Sequence, residues 1–302
     1  MLLQLRQYFA LLLILAIPMA SFAEEEETAL DVYGEVTQLF QTGKWGELLD
    51  EALYYLDQYP DSPFTQDVKY FSAIGFYHIR DYEYANDYLS DYLKESKAPK
   101  YFDQAIYHKF LIADEFRNGA KKRMFKWQKS PVYLSALDDA LDIYDEVIST
   151  LPYHELAAKA LYGKGMIQSY YQDFKEGADT FHHLIRKFPK HELAIESYLE
   201  LGNLYLKQCK AEHLDPNLLD HAVNDVQKFE KAFPGEERLK EARDILAEMK
   251  EAYAHNLYET GKFYERTNKK NAAIIYYKKV LAKFPSSNTA KDSSKRLKVL
   301  DP

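Results

Sequence analysis

Ala273-Ile274-Ile275-Tyr276-Tyr277-Lys278-Lys279-Val280-Leu281-Ala282-Lys283-Phe284-Pro285 carries apolar residues at helical spacing and closes on an aromatic-proline pair. Proline lacks the backbone N–H and its ring clashes with the preceding turn, so it ends the helix. Closing pairs recur at Tyr59-Pro60, Leu151-Pro152, Phe188-Pro189, Phe233-Pro234 and Phe284-Pro285. About 12, 8 and 5 residues before each proline stand a small or apolar residue, then an apolar or aromatic one, then another apolar one. For Pro285 these are Ala273, Tyr277 and Val280; for Pro234, Ala222, Val226 and Phe229. Ala178, Phe181 and Leu184 take the same roles before Pro189, and Ala140, Tyr144 and Val147 before Pro152.

Upstream of these helices lie partners with a small residue of their own: Leu257, Gly261 and Tyr264 in the last unit, Leu161 and Gly165 two units earlier. A small residue on each helix of a pair lets the two cross closely. This is the tetratricopeptide pattern, and it predicts an all-α fold: a right-handed superhelical solenoid of tetratricopeptide-like helix pairs. Six pairs are expected, with a capping helix over 288–300. The first two units are degenerate, with Gly43-Lys44-Trp45 as the turn of the first and Ala73, Tyr82, Ala85, Leu89 and Tyr92 marking the second. The third starts with a helix near Phe102–Arg117. A long basic connection, 121–129, follows, and Ser130-Pro131 is expected to open the next helix. A connection of that length is either functional or mobile. Leu201-Gly202 and Tyr205 open the fifth unit, where Asp215-Pro216 reads as an N-cap and first-turn proline after an insertion. One long helix is expected from about Glu237 to Arg266.

Residues 1–23 read as a cleavable secretory signal: Arg6, an apolar stretch from Tyr8 to Ala20, then Ser21-Phe22-Ala23. The expected organisation is 1–23 signal, 24–152 degenerate N-terminal repeats and 153–302 C-terminal repeats, in a periplasmic protein. No cysteine follows the cleavage point to accept a lipid. Cys209 is the one cysteine, so no internal disulfide can form; it is read as a small apolar packer after the helical run Tyr198–Lys207.

The formal charge is −8, and loss of Arg6 with the signal makes it −9. Yet Lys262–Lys298 holds eleven cations against Glu265 and Asp292. That run is either a solvated outer face and end cap or a docking patch for an acidic partner. Export and an acidic total argue against nucleic acid.

No catalytic motif is present: HExxH, GxSxG, the P-loop and GxGxxG are all missing, and the nine histidines are scattered. No enzyme, cofactor or metal is expected. The expected binding surface is the groove lined by the first helix of each pair. Facing it would be Asp67, Tyr70, Ile74 and Tyr77 in the second unit and Lys159, Tyr162, Met166 and Ser169 in the fourth. His255, Tyr258, Lys262 and Glu265 would face it in the last. Tyrosine recurs at the fifth position, and its large face and hydroxyl suit an extended peptide, although 26 tyrosines in the chain leave packing as the alternative. Asn203 stands without the lysine that would complete a carboxylate clamp, since Leu199 occupies that place.

The segment 196–297 resembles the BamD family of outer-membrane assembly proteins. The residues that carry this are Leu201-Gly202-Asn203-Leu204-Tyr205, the insertion at Asp215-Pro216, and Phe229-Glu230-Lys231-Ala232-Phe233-Pro234. Tyr264-Glu265-Arg266, Ala272-Ala273-Ile274 and Phe284-Pro285 complete the match. The resemblance implies a periplasmic scaffold, peripheral to the outer membrane. It would dock on the periplasmic domain of the barrel-assembly subunit and help deliver unfolded outer-membrane protein segments. The docking region would fall on 250–283. Many relatives carry a docking arginine nine residues before the last-matched proline, where this chain has Tyr276. The family is lipid-anchored, and the acceptor cysteine is missing here. The alternative is a periplasmic adaptor for cell-envelope or cell-division machinery, or a secretion chaperone.

Overall fold

The computed structural model describes residues 28–95, 98–125, 130–211 and 215–300. The proposed signal, 1–23, lies outside them, as do 126–129 of the basic connection and 212–214 of the insertion. The elements run α1 (28–42), α2 (Trp45–Gln58), α3 (Thr65–His78), α4 (Tyr82–Glu95), α5 (Phe102–Arg117), β1 (Lys121–Arg123), β2 (Val132–Ser135) and α6 (Leu137–Thr150). Then follow α7 (Glu155–Tyr171), α8 (Phe174–Lys187), α9 (Glu192–Ala211), α10 (Pro216–Ala232), α11 (Leu239–Arg266), α12 (Lys270–Lys283) and α13 (Asn288–Leu300). Two compact units divide the chain, one up to Ile143 and one from Tyr144. Each is a stack of helix pairs of tetratricopeptide type, so the fold class is the all-α one that the repeats predict.

The closing phrase works as its chemistry requires. Tyr59, Phe188, Phe233 and Phe284 each cap a helix with φ between −126° and −133°, off the helical basin. A following proline disfavours the α conformation in the residue before it. Tyr144, Phe181, Phe229 and Tyr277, the large residues eight or five before each proline, are all fully buried.

The small residues of the pattern are just as clear. A Cβ on Gly261 would lie 2.7 Å from Cε1 of Tyr277, and one on Gly165 would lie 2.7 Å from Cε1 of Phe181. Only glycine lets those rings reach the helix backbone. The turn between paired helices also repeats: Arg80, Gln172 and Asn268 all take a left-handed φ of 61–64°.

Three expectations need correction. Before Pro189 the buried small residue is Gly177, twelve positions back, while Ala178 is half-buried. Cys209 lies inside α9, which continues to Ala211, and is buried there. Ser130-Pro131 opens no helix. An antiparallel two-stranded ribbon forms instead, with Lys121 opposite Ser135, Lys122 opposite Leu134 and Arg123 opposite Val132. Val132-Tyr133-Leu134 is β-branched and aromatic, a composition that suits a pleated surface, and α6 starts only at Leu137.

Candidate binding surface

The end of the second unit is built around α11. The residues expected to face the groove follow helical spacing along it from His255 through Tyr258 and Lys262 to Glu265. Tyr258 packs 5.4 Å from the buried Tyr277 ring, and Lys262 lies 5.6 Å over the Tyr258 ring while pairing with Glu259 at 3.0 Å. The Lys262 contact draws the Glu259 carboxyl below its usual value. Glu265 accepts from the Tyr277 hydroxyl at 2.9 Å and is ion-paired with Arg296 of α13, so it is part of the scaffold rather than a free ligand. His255 is exposed.

Glu251, one turn before His255, clamps the last helix. Its carboxylate accepts from the backbone N–H groups of Asn288 and Thr289, at 2.8 and 2.9 Å, and from the Thr289 hydroxyl. Orphan N–H groups at a helix start are satisfied in this way, and the positive end of the helix dipole favours the carboxylate. Burial raises the Glu251 carboxyl, but the α13 hydrogen bonds outweigh it and leave the group below its usual value.

Where α11 turns into α12, aromatic and cationic groups interleave. Tyr264 stacks on Tyr276 with centroids 5.4 Å apart, Lys269 lies 5.9 Å over Tyr264, and Lys279 lies 4.9 Å over Tyr276. Phe263, 52% exposed, meets the edge of Tyr264, and Ile275 is 54% exposed. Lys262 is ion-paired within α11, whereas Lys269 and Lys279 rest on rings. A positive, ring-studded surface results, suited to an acidic partner that also offers apolar contacts.

Between α10, α11 and the end of α12 lies a cleft of about 440 Å³, lined by Leu219, Tyr253, Leu257 and Phe284 together with Asp220, Asn256 and Lys283. It is large enough for an apolar side chain of a bound segment, with an amide able to pair with that segment's backbone.

The other tyrosines expected to face the groove are chiefly packers. Tyr70 is 5% exposed, sandwiched 4.3 Å from Tyr101 and close to Tyr92 and Phe71. Burial, reinforced by Tyr101 and Tyr92, pushes its hydroxyl up to about 12. Tyr77 is half-buried against Tyr82 and His108. Tyr162 and Met166 pack partly buried on the core of the second unit, Tyr162 6.1 Å from Phe181. The Glu200 carboxyl is raised chiefly by burial, with Lys207 and Asn203 working against that rise. His255, Tyr258 and Lys262 share one face of α11, Tyr276 is on α12 against Tyr264, Asn203 is on α9, Tyr162 and Met166 are on α7, and Tyr70 and Tyr77 belong to the first unit.

Sequence reasoning misses the cleft and the Glu251 clamp. Both depend on residues some 30 or more positions apart, for which helical spacing holds no signal. The Phe263–Tyr264–Tyr276 cluster is half legible: the sequence singles out Tyr276, and its neighbours follow from the turn geometry.

A family model described as YfiO, outer membrane lipoprotein, matches residues 119–300. No curated protein matches. Among solved structures, a tetratricopeptide repeat protein from Parabacteroides merdae is 13% identical, with 89% of this chain and 98% of that chain covered and a TM-score of 0.41. A repeat protein from Bacteroides fragilis is 11% identical, with 90% and 98% covered and a TM-score of 0.42. The pilF protein of Pseudomonas aeruginosa is 12% identical, with 90% and 99% covered and a TM-score of 0.34. Similarities this low carry no argument about function.

Proposed function

Since the chain belongs to the YfiO family of outer membrane lipoproteins, the BamD family that its last third resembles, we propose that it is a non-catalytic scaffold for outer-membrane β-barrel assembly. In this reading it works in the periplasm beside the outer membrane. Its last repeat docks on the periplasmic domain of the barrel-assembly subunit. Unfolded client segments lie along the first helices, with one apolar side chain in the cleft beside Asn256. Among the described residues no helix is long and apolar enough to cross a membrane.

One observation carries the reading: the cation-rich aromatic surface at the α11–α12 turn falls inside the family-matched segment. Long-range attraction from such a surface speeds encounter with an acidic patch, and the rings supply contact area once docked. Depletion of the protein tests it. Barrel proteins in the outer membrane are expected to fall, and a Lys269→Glu/Lys279→Glu variant is expected not to restore them. Unchanged barrel levels on depletion would contradict the proposal.

A further inference from the structure

The five closing pairs share a second feature that docking does not use. Two residues after each proline, a side-chain acceptor meets a backbone N–H at the start of the next helix. Ser62 Oγ accepts from Phe64 at 3.3 Å, His154 Nδ1 from Leu156 at 3.1 Å and His191 Nδ1 from Leu193 at 3.1 Å. Glu236 Oε1 accepts from Arg238 at 3.3 Å and Ser287 Oγ from Ala290 at 3.0 Å. The N–H groups of a first turn have no partner within the helix, and such a cap satisfies one of them.

The five caps differ in what acid does to them. A serine hydroxyl does not titrate, and Arg238 holds the Glu236 carboxyl below its usual value. Both remain acceptors in mild acid. An imidazole nitrogen accepts only while the ring is neutral; in the protonated ring both nitrogens are donors. Its charge would also meet the positive end of the helix dipole. The two imidazoles head the same phrase, His154-Glu155-Leu156-Ala157 and His191-Glu192-Leu193-Ala194, which opens α7 and α9.

The nearby carboxylates are already engaged. Glu155 of α7 feels both rings, but its carboxyl is lowered first by Lys159, which pairs with it at 2.6 Å. Glu192 of α9 pairs with Arg238, just before α11, at 3.2 Å. The other neighbours are cations: Lys187 of α8 lies 5.0 Å over the Tyr153 ring, next to His154, and Lys190 precedes His191. Behind the caps, Leu156, Ala157 and Ala158 of α7 and Ala194 and Ile195 of α9 are buried. Ala194 packs in one cluster with Leu161 and Leu184 of the fourth repeat. Loosening these first turns therefore loosens the contact between the fourth and fifth repeats.

We propose that His154 and His191 make this junction acid-sensitive. As pH falls through the ordinary imidazole range, about 6.5, both caps are lost and the first turns of α7 and α9 open. The starts of α3, α11 and α13, capped by serine or glutamate, hold. The sign follows from proton binding: the open turn takes up a proton that the capped turn excludes, so the junction gains stability as pH rises. Its use as a sensor of external pH rests on the periplasmic reading above; the linkage itself does not.

The test is residue-resolved amide exchange of the whole protein at about pH 7.5 and about pH 5.5, on either side of the imidazole range. Rates are expressed as protection factors, so that the intrinsic pH dependence of exchange drops out. Protection at 156–158 and 193–195 is expected to fall about fivefold in acid, the scale of a lost N-cap, with Ala290 unchanged. His154→Ser/His191→Ser installs the cap that the chain uses elsewhere and should keep the neutral-pH protection at both values. His154→Ala/His191→Ala should show the low protection at both. Imidazole nitrogen shifts give a readout independent of stability, and at neutral pH the proton is expected on Nε2. Equal wild-type protection at the two pH values would overturn the proposal, as would a proton on Nδ1. A fall of the same size at Ala290 would make the effect global and overturn it too. A fall that persists in the serine variant would assign it to other groups, the His182–Asp225 pair first, and equally overturn it.

Discussion

The third and sixth repeats solve the same packing problem in opposite ways. In the sixth, α11 and α12 are joined by a three-residue turn, and Gly261 brings the Tyr277 ring onto the helix backbone with no room for a Cβ. In the third, α5 and α6 are separated by a ribbon that α4 holds through Arg123 and Asp81. One repeat is held by shape and the other by charge. Sequence pattern reads shape well, because glycine and a ring at fixed spacing are local signals. A buried ion pair between positions 81 and 123 leaves no such trace.

The largest expected effect breaks the charged side of this contrast. Arg123→Ala leaves the Asp81 carboxylate buried without its partner, which should cost about 3–5 kcal/mol. Chemical denaturation should show that loss, and hydrogen exchange should quicken at 121–135 while 239–300 keeps its protection. Loss of protection throughout would mean that the ribbon organises the whole chain.

The shape side comes next. Gly261→Ala drives a Cβ toward a fully buried ring and should destabilise by about 1–3 kcal/mol, read as a lower melting temperature. Gly202 is the internal control. The nearest atom to a Cβ there would be Cγ2 of the Ile245 side chain at 3.3 Å, and alanine gains about 1 kcal/mol of helix propensity over glycine. Gly202→Ala should therefore be near neutral; equal damage at both positions would refute the close-crossing account of the repeats.

A third test asks whether charge also works inside a repeat built on the shape pattern. Asp225, in the fifth, is 5% exposed and accepts from His182 at 2.8 Å, Tyr205 at 3.1 Å and Lys228 at 3.1 Å. Burial raises its carboxyl, but His182 and then Lys228 outweigh burial and leave it below the usual carboxylate value. A depressed folded value means that its contribution is complete above the unfolded value of about 3.9 and is lost as pH falls through the folded one. Melting between pH 5 and 2.5 should thus be steeper for the wild type than for Asp225→Asn.

The smallest effect lies in the turns. Gln172 and Asn268 occupy the same left-handed position in the fourth and sixth repeats. Asparagine adopts that conformation at less cost than glutamine, so Gln172→Gly should stabilise by about 0.5–1 kcal/mol and Asn268→Gly by less. Differential scanning calorimetry of the two variants would measure both.

The helix pairs are legible in the sequence down to the bounds of the last helix, because aromatic-proline closures and small crossing residues are local and periodic. Tyr258 and Lys262 share a face of α11, as their helical spacing predicts, while Tyr276 stacks on Tyr264. Tyr70 is misread, because a tyrosine at the groove position looks the same whether its ring faces solvent or, as here, stacks on Tyr101 beside the tilted ring of Phe71. The ribbon escapes because Ser130-Pro131 is a sound helix-start signal. What overrides it is tertiary: Asp81 and Glu83 at the start of α4 hold Arg123, and Asp139 of α6 holds Lys122.

The most direct test of the account is a photo-crosslinking residue placed at Tyr276 in cells, with the adduct identified. The account predicts an adduct with the periplasmic domain of the barrel-assembly subunit, lost when Lys269 and Lys279 are both changed to glutamate. Adducts with other proteins only, or a barrel-subunit adduct indifferent to that charge reversal, would contradict it.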